Sequence, residues 1–393
     1  MSELDYDLCI SGAGIAGMIA AIAFAKTGTR VLLVDPQKPQ TKLHTKNADL
    51  RSTAFLQPAI TFLDQINLWP ALKKIATPLE IMRLADAGGA ENTIRHIADF
   101  DASELGETAF GWNIQNTALK AVLMKAIEQS SSLEAHFGSK IEITAPRSDE
   151  VVLKRDGKTL KSRAVFLAEG RNSLNRERLG ISVKKMDYSQ SALAFAVTHD
   201  KPHKNISTEI HRTGGPFTLV PMQNRNAKFC SSVVWMEHKR EAERLSKLGD
   251  DDFNSALNAR ATGVLGTLKS LTPRQSFPII SQIAEKLGHS NCYLIAEAAH
   301  VVPPIGAQGL NMSLADIQWL YDQRDYVLNS DQTAQYNKAR LTDMRTRVRG
   351  IEALNRAAMS KDQRLRDLRL AGLKALHGIA PIRHAVMKKG LGV

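Results

Sequence analysis

Four separated groups of residues in this chain are of types and spacings that could do chemistry together. Gly12, Gly14 and Gly17 stand in GxGxxG spacing, and an acid, Asp35, follows. Arg51 comes next, in the segment Asp49-Leu50-Arg51-Ser52-Thr53-Ala54. An acid–glycine pair, Glu169-Gly170, lies far downstream. The last group runs from Glu297 through Pro303-Pro304-Ile305-Gly306-Ala307-Gln308-Gly309-Leu310-Asn311. In the first group Gly12 permits a sharp turn and Gly14 lets backbone approach a pyrophosphate. Gly17 lets a helix lie close on a sheet. Unpaired N–H groups at the start of that helix would favour an anion. Asp35 could accept hydrogen bonds from ribose hydroxyls.

The elements that must hold these groups are legible around them. Tyr6–Ile10 is an apolar run, the glycines follow, a small-residue helix is expected from Ala16 to about Lys26, and Val31–Val34 ends on Asp35. Strand, turn, helix, strand, acid is the context a dinucleotide fold requires. By itself it fits NAD and FAD equally, and a glycine-rich buried helix without ligand is the bland alternative. Pro36 to Asp49 reads as a polar loop, and Gln57 to Ile66 and on to Trp69 as helical. Pro78–Phe110 holds short β-like runs, and Asn113–Gln129 is an amphipathic helix. Ile141–Lys154 and Thr159-Leu160 form a hairpin excursion turning at Asp156-Gly157. Ala164–Ala168 is a buried strand that ends at Glu169.

Alternating runs at Leu193–Thr198, Phe217–Met222 and Phe229–Met236, then a helix from Asp251 to about Leu271, mark a second, mainly antiparallel unit. It would sit over the first and enclose a substrate cavity. Asn291–Ile295 returns as a strand. Helices follow from about Met312 to Leu328, from Ala334 to about Met359, and, broken at Gly378 and Pro381, from Arg364 to Leu391.

Composition bounds the rest. The 393 residues are 43% hydrophobic, enough for two or three packed units. Cys9, Cys230 and Cys292 are odd in number, far apart and without CxxC spacing, which argues for a reducing, cytoplasmic setting, inert thiols and no metal site. His300 has no neighbour at metal spacing and reads as structural. The net charge of +12 is concentrated at the end: from Lys338 onward there are 14 Lys/Arg against 4 Asp/Glu. Basicity therefore belongs to the tail and not to the fold, against a nucleic-acid surface. Acids at positions 3, 5 and 7 and the embedded glycines exclude a signal peptide over Leu8–Ala25. No other run approaches a membrane span.

Taken in order, the glycine loop, Arg51, Glu169-Gly170 and the Glu297–Asn311 run resemble the class A flavoprotein aromatic hydroxylases. The likeness extends to the whole chain. Within that class the chain is most similar to the ubiquinone-biosynthesis hydroxylases, with Pro303–Asn311 the most specific part. The resemblance implies an α/β fold with a Rossmann-like, GR2-type FAD-binding domain in three parts, 1–75, 113–180 and 285–330. A substrate-domain excursion at 76–112, an antiparallel-sheet substrate domain at 181–284 and a helical basic C-terminal region at 331–393 complete it. It implies FAD contacts at Gly12, Ala13, Gly14, Ile15, Ala16, Gly17, Asp35, Arg51, Asn116, Glu169, Glu297, Pro304, Gly306, Gly309, Leu310 and Asn311. Asn116 stands where many relatives have arginine. Glu169 and Glu297 replace aspartates, and Asp35 replaces a commoner glutamate, each keeping charge and changing reach by one methylene.

The implied reaction is oxygen transfer from a C4a-hydroperoxyflavin to the ring of a polyprenylated phenol. Electrons would come from NAD(P)H or a separate reductase, and O2 is the second substrate. No residue is singled out as acid or base. In the tail Leu365, Leu368, Leu373, Leu376, Ile379 and Ile382 alternate with Arg366, Arg369, Lys374 and Arg383. A basic amphipathic segment suits docking on an anionic membrane or on partner proteins of quinone biosynthesis. Two other readings are a soluble hydroxylase of small aromatic acids, which would need a cationic anchor in the substrate sheet, and a flavin-binding accessory protein without turnover.

Overall fold

The computed structural model describes residues 4–42, Asp49, 51–91, 93–147 and 149–391. Of the polar loop expected after Pro36, residues 43–48 lie outside this set. The chain opens with β1 (Tyr6–Ser11), α1 (Ile15–Ala25) and β2 (Val31–Asp35). Every residue of α1 except Ile15 is buried, so packing and not capping holds this helix. There follow β3 (Ser52–Leu56), α2 (Gln57–Gln65), α3 (Trp69–Lys73), β4 (Thr77–Leu79), β5 (Ile81–Asp86), β6 (His96–Asp101), β7 (Gly111–Gln115) and α4 (Asn116–Glu128). The helix expected from Asn113 begins at Asn116 instead. Asn113 pairs with Ala54 of β3 on one side and Thr77 of β4 on the other, and this cross-strand pairing overrides the helical period.

Next come β8 (Leu133–Phe137), β9 (Ile141–Pro146), β10 (Val151–Arg155) and β11 (Lys158–Leu167). Asp156 and Gly157 have φ of 49° and 79°, the left-handed pair a two-residue hairpin favours. The runs expected as two strands are one: β11 pairs antiparallel with β10 in its first half and parallel with β1 in its second. After α5 (Leu174–Arg178) stand β12 (Val183–His199), β13 (Ile206–His211), β14 (Pro216–Arg225), β15 (Lys228–His238), α6 (Lys239–Lys247), α7 (Asp250–Ala261), β16 (Leu268–Ser270) and β17 (Gln275–Ala284). The helix expected to reach Leu271 stops at Ala261. Thr262 turns left-handed at φ 51°, and the Asn258 amide bonds both backbone groups of Leu268, drawing that segment onto β12 as β16. The chain closes with β18 (Gly288–His289), β19 (Cys292–Leu294), β20 (His300–Val301), α8 (Gln308–Asp322), α9 (Arg324–Val327), α10 (Thr333–Met359), α11 (Gln363–Gly378) and α12 (Ala380–Leu391).

Three sheets result. The first has β19-β11-β1-β2-β8 in parallel at its centre, with β18 and the β9–β10 hairpin added antiparallel. The second runs β20-β17-β12-β15-β14-β13-β5-β6, and the third is β3-β7-β4. One core packs α1, α8 and α10 with the parallel sheet. Another lies between the second sheet and α6 and α7, where Phe195, Phe217 and Trp235 meet Phe253 and Leu257. The three cysteines are buried and unpaired, and burial pushes the Cys9 thiol up to about 12. Parallel pairing brings the C-terminal ends of β1, β2, β11 and β19 to one edge, where ligands of open α/β sheets bind.

Candidate functional site

At that edge the three glycines differ sharply. A Cβ on Gly12, at φ 108°, would lie 2.3 Å from the Ala168 carbonyl oxygen, and one on Gly17 would lie 2.0 Å from that of Gly12. Contact of the β1 turn with the β11 turn therefore demands the first, and the packing of α1 on its own turn demands the second. Gly14 meets nothing within 4 Å, is exposed, and heads α1 at an N-terminus that no side chain caps. Its missing side chain answers to nothing inside the protein. The bare helix start and the open space above it fit the phosphates of a dinucleotide.

Asp35 shapes the same turn: its carboxylate accepts from the amides of Ala13 and Gln37, each at 2.7 Å. It stays half-buried, with acceptor capacity left for a hydroxyl.

Glu169, expected to meet the cofactor, turns inward instead. Its carboxylate accepts from the hydroxyls of Ser11 and Ser173, both at 2.6 Å, and from the backbone and side-chain amides of Asn175. Glu169 thus ties the end of β1 to the start of α5, which Ser173 caps. Glu297 stays exposed and is bridged at 3.1 Å by Arg171, which joins the turns after β11 and β19.

Arg51 and Asn116, expected as separate contacts, belong to one cluster. The Arg51 guanidinium grips Asp49 with bonds of 2.8 and 2.9 Å and lies 4.7 Å from the Phe277 ring centre. Asn116 donates to Asp49 at 3.0 Å and accepts from Thr53 at 2.8 Å, and Lys120 stands 3.4 Å from the same carboxylate. Burial opposes ionisation of Asp49. The bonds from Arg51 and Asn116 and the charge of Lys120 outweigh it and hold the carboxyl well below the usual carboxylate range.

The later loop is built by backbone. Gly306 and Ala307 are consecutive left-handed residues, φ 62° and 56°, and they deliver the chain into α8 without a side-chain cap. A Cβ on Gly306 or Gly309 would meet only single side chains at 3.8 Å or beyond, so this surface too is open. Pro304 is exposed, and Leu310 packs against the main core.

Asn311 spends its side chain on the protein itself. The amide accepts from Leu56 N–H at 2.9 Å and donates to the carbonyls of Ala54 and Ala307 at 2.8 and 2.6 Å, extending β3 by one rung. It sets where the loop stands. His300 is structural as expected: it bonds the buried Asp316 at 2.9 Å, which Arg340 meets at 2.8 Å, joining β20 to α8 and α10.

Sequence reasoning passed over Asp49, Arg171, Ser173, Asn175 and Phe277. An acid two residues before Arg51 was the available signal for the first; the others depend on long-range packing and carry none.

A family model described as an FAD binding domain matches residues 5–343. The ubiquinone hydroxylase UbiL of Rhodospirillum rubrum is 26% identical, covering 98% of this chain and 89% of its own. The 3-demethoxyubiquinol 3-hydroxylase of Escherichia coli is 22% identical over 100% of both chains. Among solved structures, p-nitrophenol 4-monooxygenase PnpA from Pseudomonas putida superposes with a TM-score of 0.79 at 16% identity, covering 100% of this chain and 99% of that one. At that identity the likeness is one of fold.

Proposed function

Because the chain belongs to the FAD-binding domain family and is an FAD-dependent monooxygenase, we propose that it hydroxylates the ring of a polyprenylated phenol in ubiquinone biosynthesis. Electrons come from NAD(P)H or from a separate reductase. Gly14 and the start of α1 would hold the pyrophosphate, and Asp35 a ribose. Arg51, Asn116 and Glu297 would flank the middle of the cofactor. The amides of Gly306 to Leu310, at the positive end of α8, would face the isoalloxazine. When bound and reduced by that donor, FAD would supply the two electrons that let one atom of O2 enter the ring while the other leaves as water. The protein's share is to position the substrate, exclude water and stabilise negative charge at the α8 end of the flavin.

One observation favours this substrate class over small aromatic acids. On the face of the second sheet opposite α6 and α7, register places Phe277, Ala192 and Met236 in one row and Ala194, Val234 and Thr218 in the next. Ala196, Ser232 and Val220 follow. Among the described residues of β12, β14, β15 and β17, the positions in these rows carry no Lys or Arg to anchor a carboxylate. A neutral, apolar molecule suits such a wall. A lipid-borne substrate also suits work at a membrane face, beside other proteins of quinone biosynthesis.

The test uses the reduced holoprotein, isotopically labelled O2 and a short-chain prenylated phenol. Label in the ring hydroxyl of the product supports the reading. Label in a small aromatic acid but in no prenylated phenol would replace it, and unlabelled substrates throughout would leave a flavin-binding accessory protein.

A further inference from the structure

The last two helices have one face tied to the fold and one left bare. Inward, Leu373, Met387 and Leu391 pack with Met82, Leu84 and Phe100. Arg369 meets the buried Asp86 at 3.0 Å, and Arg383 meets Glu104 at 2.7 Å. Outward, α11 presents Leu365, Leu368 and Leu376, an i, i+3, i+11 stripe on one side of a helix, and Ile379 follows exposed at its C-cap. On α12 it continues through Ile382 and Val386. These six residues are between 38% and 68% exposed. Seven of the eleven large hydrophobics exposed among the described residues fall between Leu354 and Val386, so this is a patch and not scatter.

Cations frame the stripe. Arg364 stands at one end, Lys388 and Lys389 at the other, and Lys374 between; all four are exposed and make no ion pair among the described residues. Four residues ahead of Leu365, Lys361 helps line a cavity of about 890 Å³ with His238, Lys239, Arg240 and Arg244. Glu237 and Glu241 also line it, and Glu241 is paired with Arg244 at 2.6 Å. The cavity opens where α6 leaves β15, and its excess of cations matches an anionic headgroup.

We propose that the outer face of α11 and α12, with this basic cavity at the head of α11, docks the protein on a membrane bearing anionic phospholipids. The proposal deepens the polyprenylated-phenol reading and rests on it for its purpose, since such a substrate is held in lipid. An apolar stripe rimmed by unpaired cations is what an interfacial helix lays into the headgroup region. No helix among the described residues is long and apolar enough to cross a membrane, so the contact is peripheral. Docking also brings lipid beside the cofactor site. The Gln308 side chain at the start of α8 donates to the Gly390 carbonyl at 3.1 Å and accepts from Arg347 at 3.3 Å, linking the docked helix to the later loop.

The test is flotation of the FAD-loaded full chain with phosphatidylcholine vesicles, with and without phosphatidylglycerol. Wild type should float with the anionic vesicles and bind neutral ones roughly tenfold more weakly or worse. The triple variants L365E/L368E/I379E and K374E/K388E/K389E should each lose roughly tenfold in anionic binding. Bound-flavin absorbance reports that both remain folded. Variants that float like wild type, equal binding to the two vesicles, or no flotation of wild type would each overturn docking, the last in favour of a protein partner. Hydroxylation of a short-chain prenylated phenol in detergent reads the function separately. A protein that turns over in detergent but never floats loses only the docking proposal, and one that floats but never turns over loses the functional reading on which its purpose rests.

Discussion

The two open loops at the sheet edge are made in opposite ways. The first, Gly12–Gly17, is set by contact within one βαβ unit and its neighbour: two of its glycines sit where any Cβ would strike backbone. The second, Pro303–Leu310, has no such contacts. It is held by side chains at its own end that reach distant elements, Asn311 to β3 and Gln308 to both α10 and α12. The first loop is therefore rigid by construction. The second can be displaced by changes in distant elements, the tail among them.

Substitutions can break this contrast, beginning with the largest effect. Gly17→Val should abolish soluble expression or cost on the order of 4 kcal/mol or more, read by thermal or urea unfolding of the apoprotein, because backbone at 2.0 Å cannot yield. A folded G17V protein of normal stability would show that the first loop is not sterically locked. Gly14→Val should leave apoprotein stability nearly unchanged yet weaken FAD binding roughly a hundredfold, about 3 kcal/mol, by filling the space over the α1 amides. Titration of the apoprotein with FAD checks it, and full occupancy would move the cofactor elsewhere.

Asn311→Ala removes three hydrogen bonds and leaves the Leu56 N–H unsatisfied. About 2–3 kcal/mol of stability should be lost together with weaker flavin binding. If stability falls and FAD affinity does not, the second loop is not positioned from β3.

The smallest effect concerns Asp49 and is visible through pH. Its folded-state pKa lies below the unfolded value of about 3.9, so its ion pairs stabilise fully above that value and cease to contribute as pH falls through the folded pKa. D49N should melt lower than wild type at neutral pH, and the two curves should draw together below about pH 4. A gap independent of pH would assign the effect to packing.

Much of the architecture could be read locally. The βαβ opening, the Asp156-Gly157 hairpin and the helices of the C-terminal region stand close to where their patterns put them, because turn chemistry and a 3.6-residue period act over a few neighbours. The errors fall where pairing across the fold competes with period: Asn113, claimed by two strands, and the segment after Ala261, captured by β12. The amphipathic tail was legible as a pattern. Which of its residues face inward was not, since Arg369 and Arg383 find their acids in β5 and the turn after β6.

The sequence by itself determined that a dinucleotide-type turn exists, that a second glycine-proline loop stands far along the chain, and that positive charge gathers in the tail. These are statements about residue types and short spacings. The tertiary structure alone decided what each polar side chain does. Glu169 and Glu297 are alike in sequence, each an acid just after a strand, yet one is taken up by Ser11, 158 residues away, and the other stays at the surface. Asn311 is claimed by Leu56 across 255 residues. A carboxylate or amide meets whatever donors and acceptors the packed elements bring within 3 Å, and that is fixed by the sum of the packing and by no local pattern.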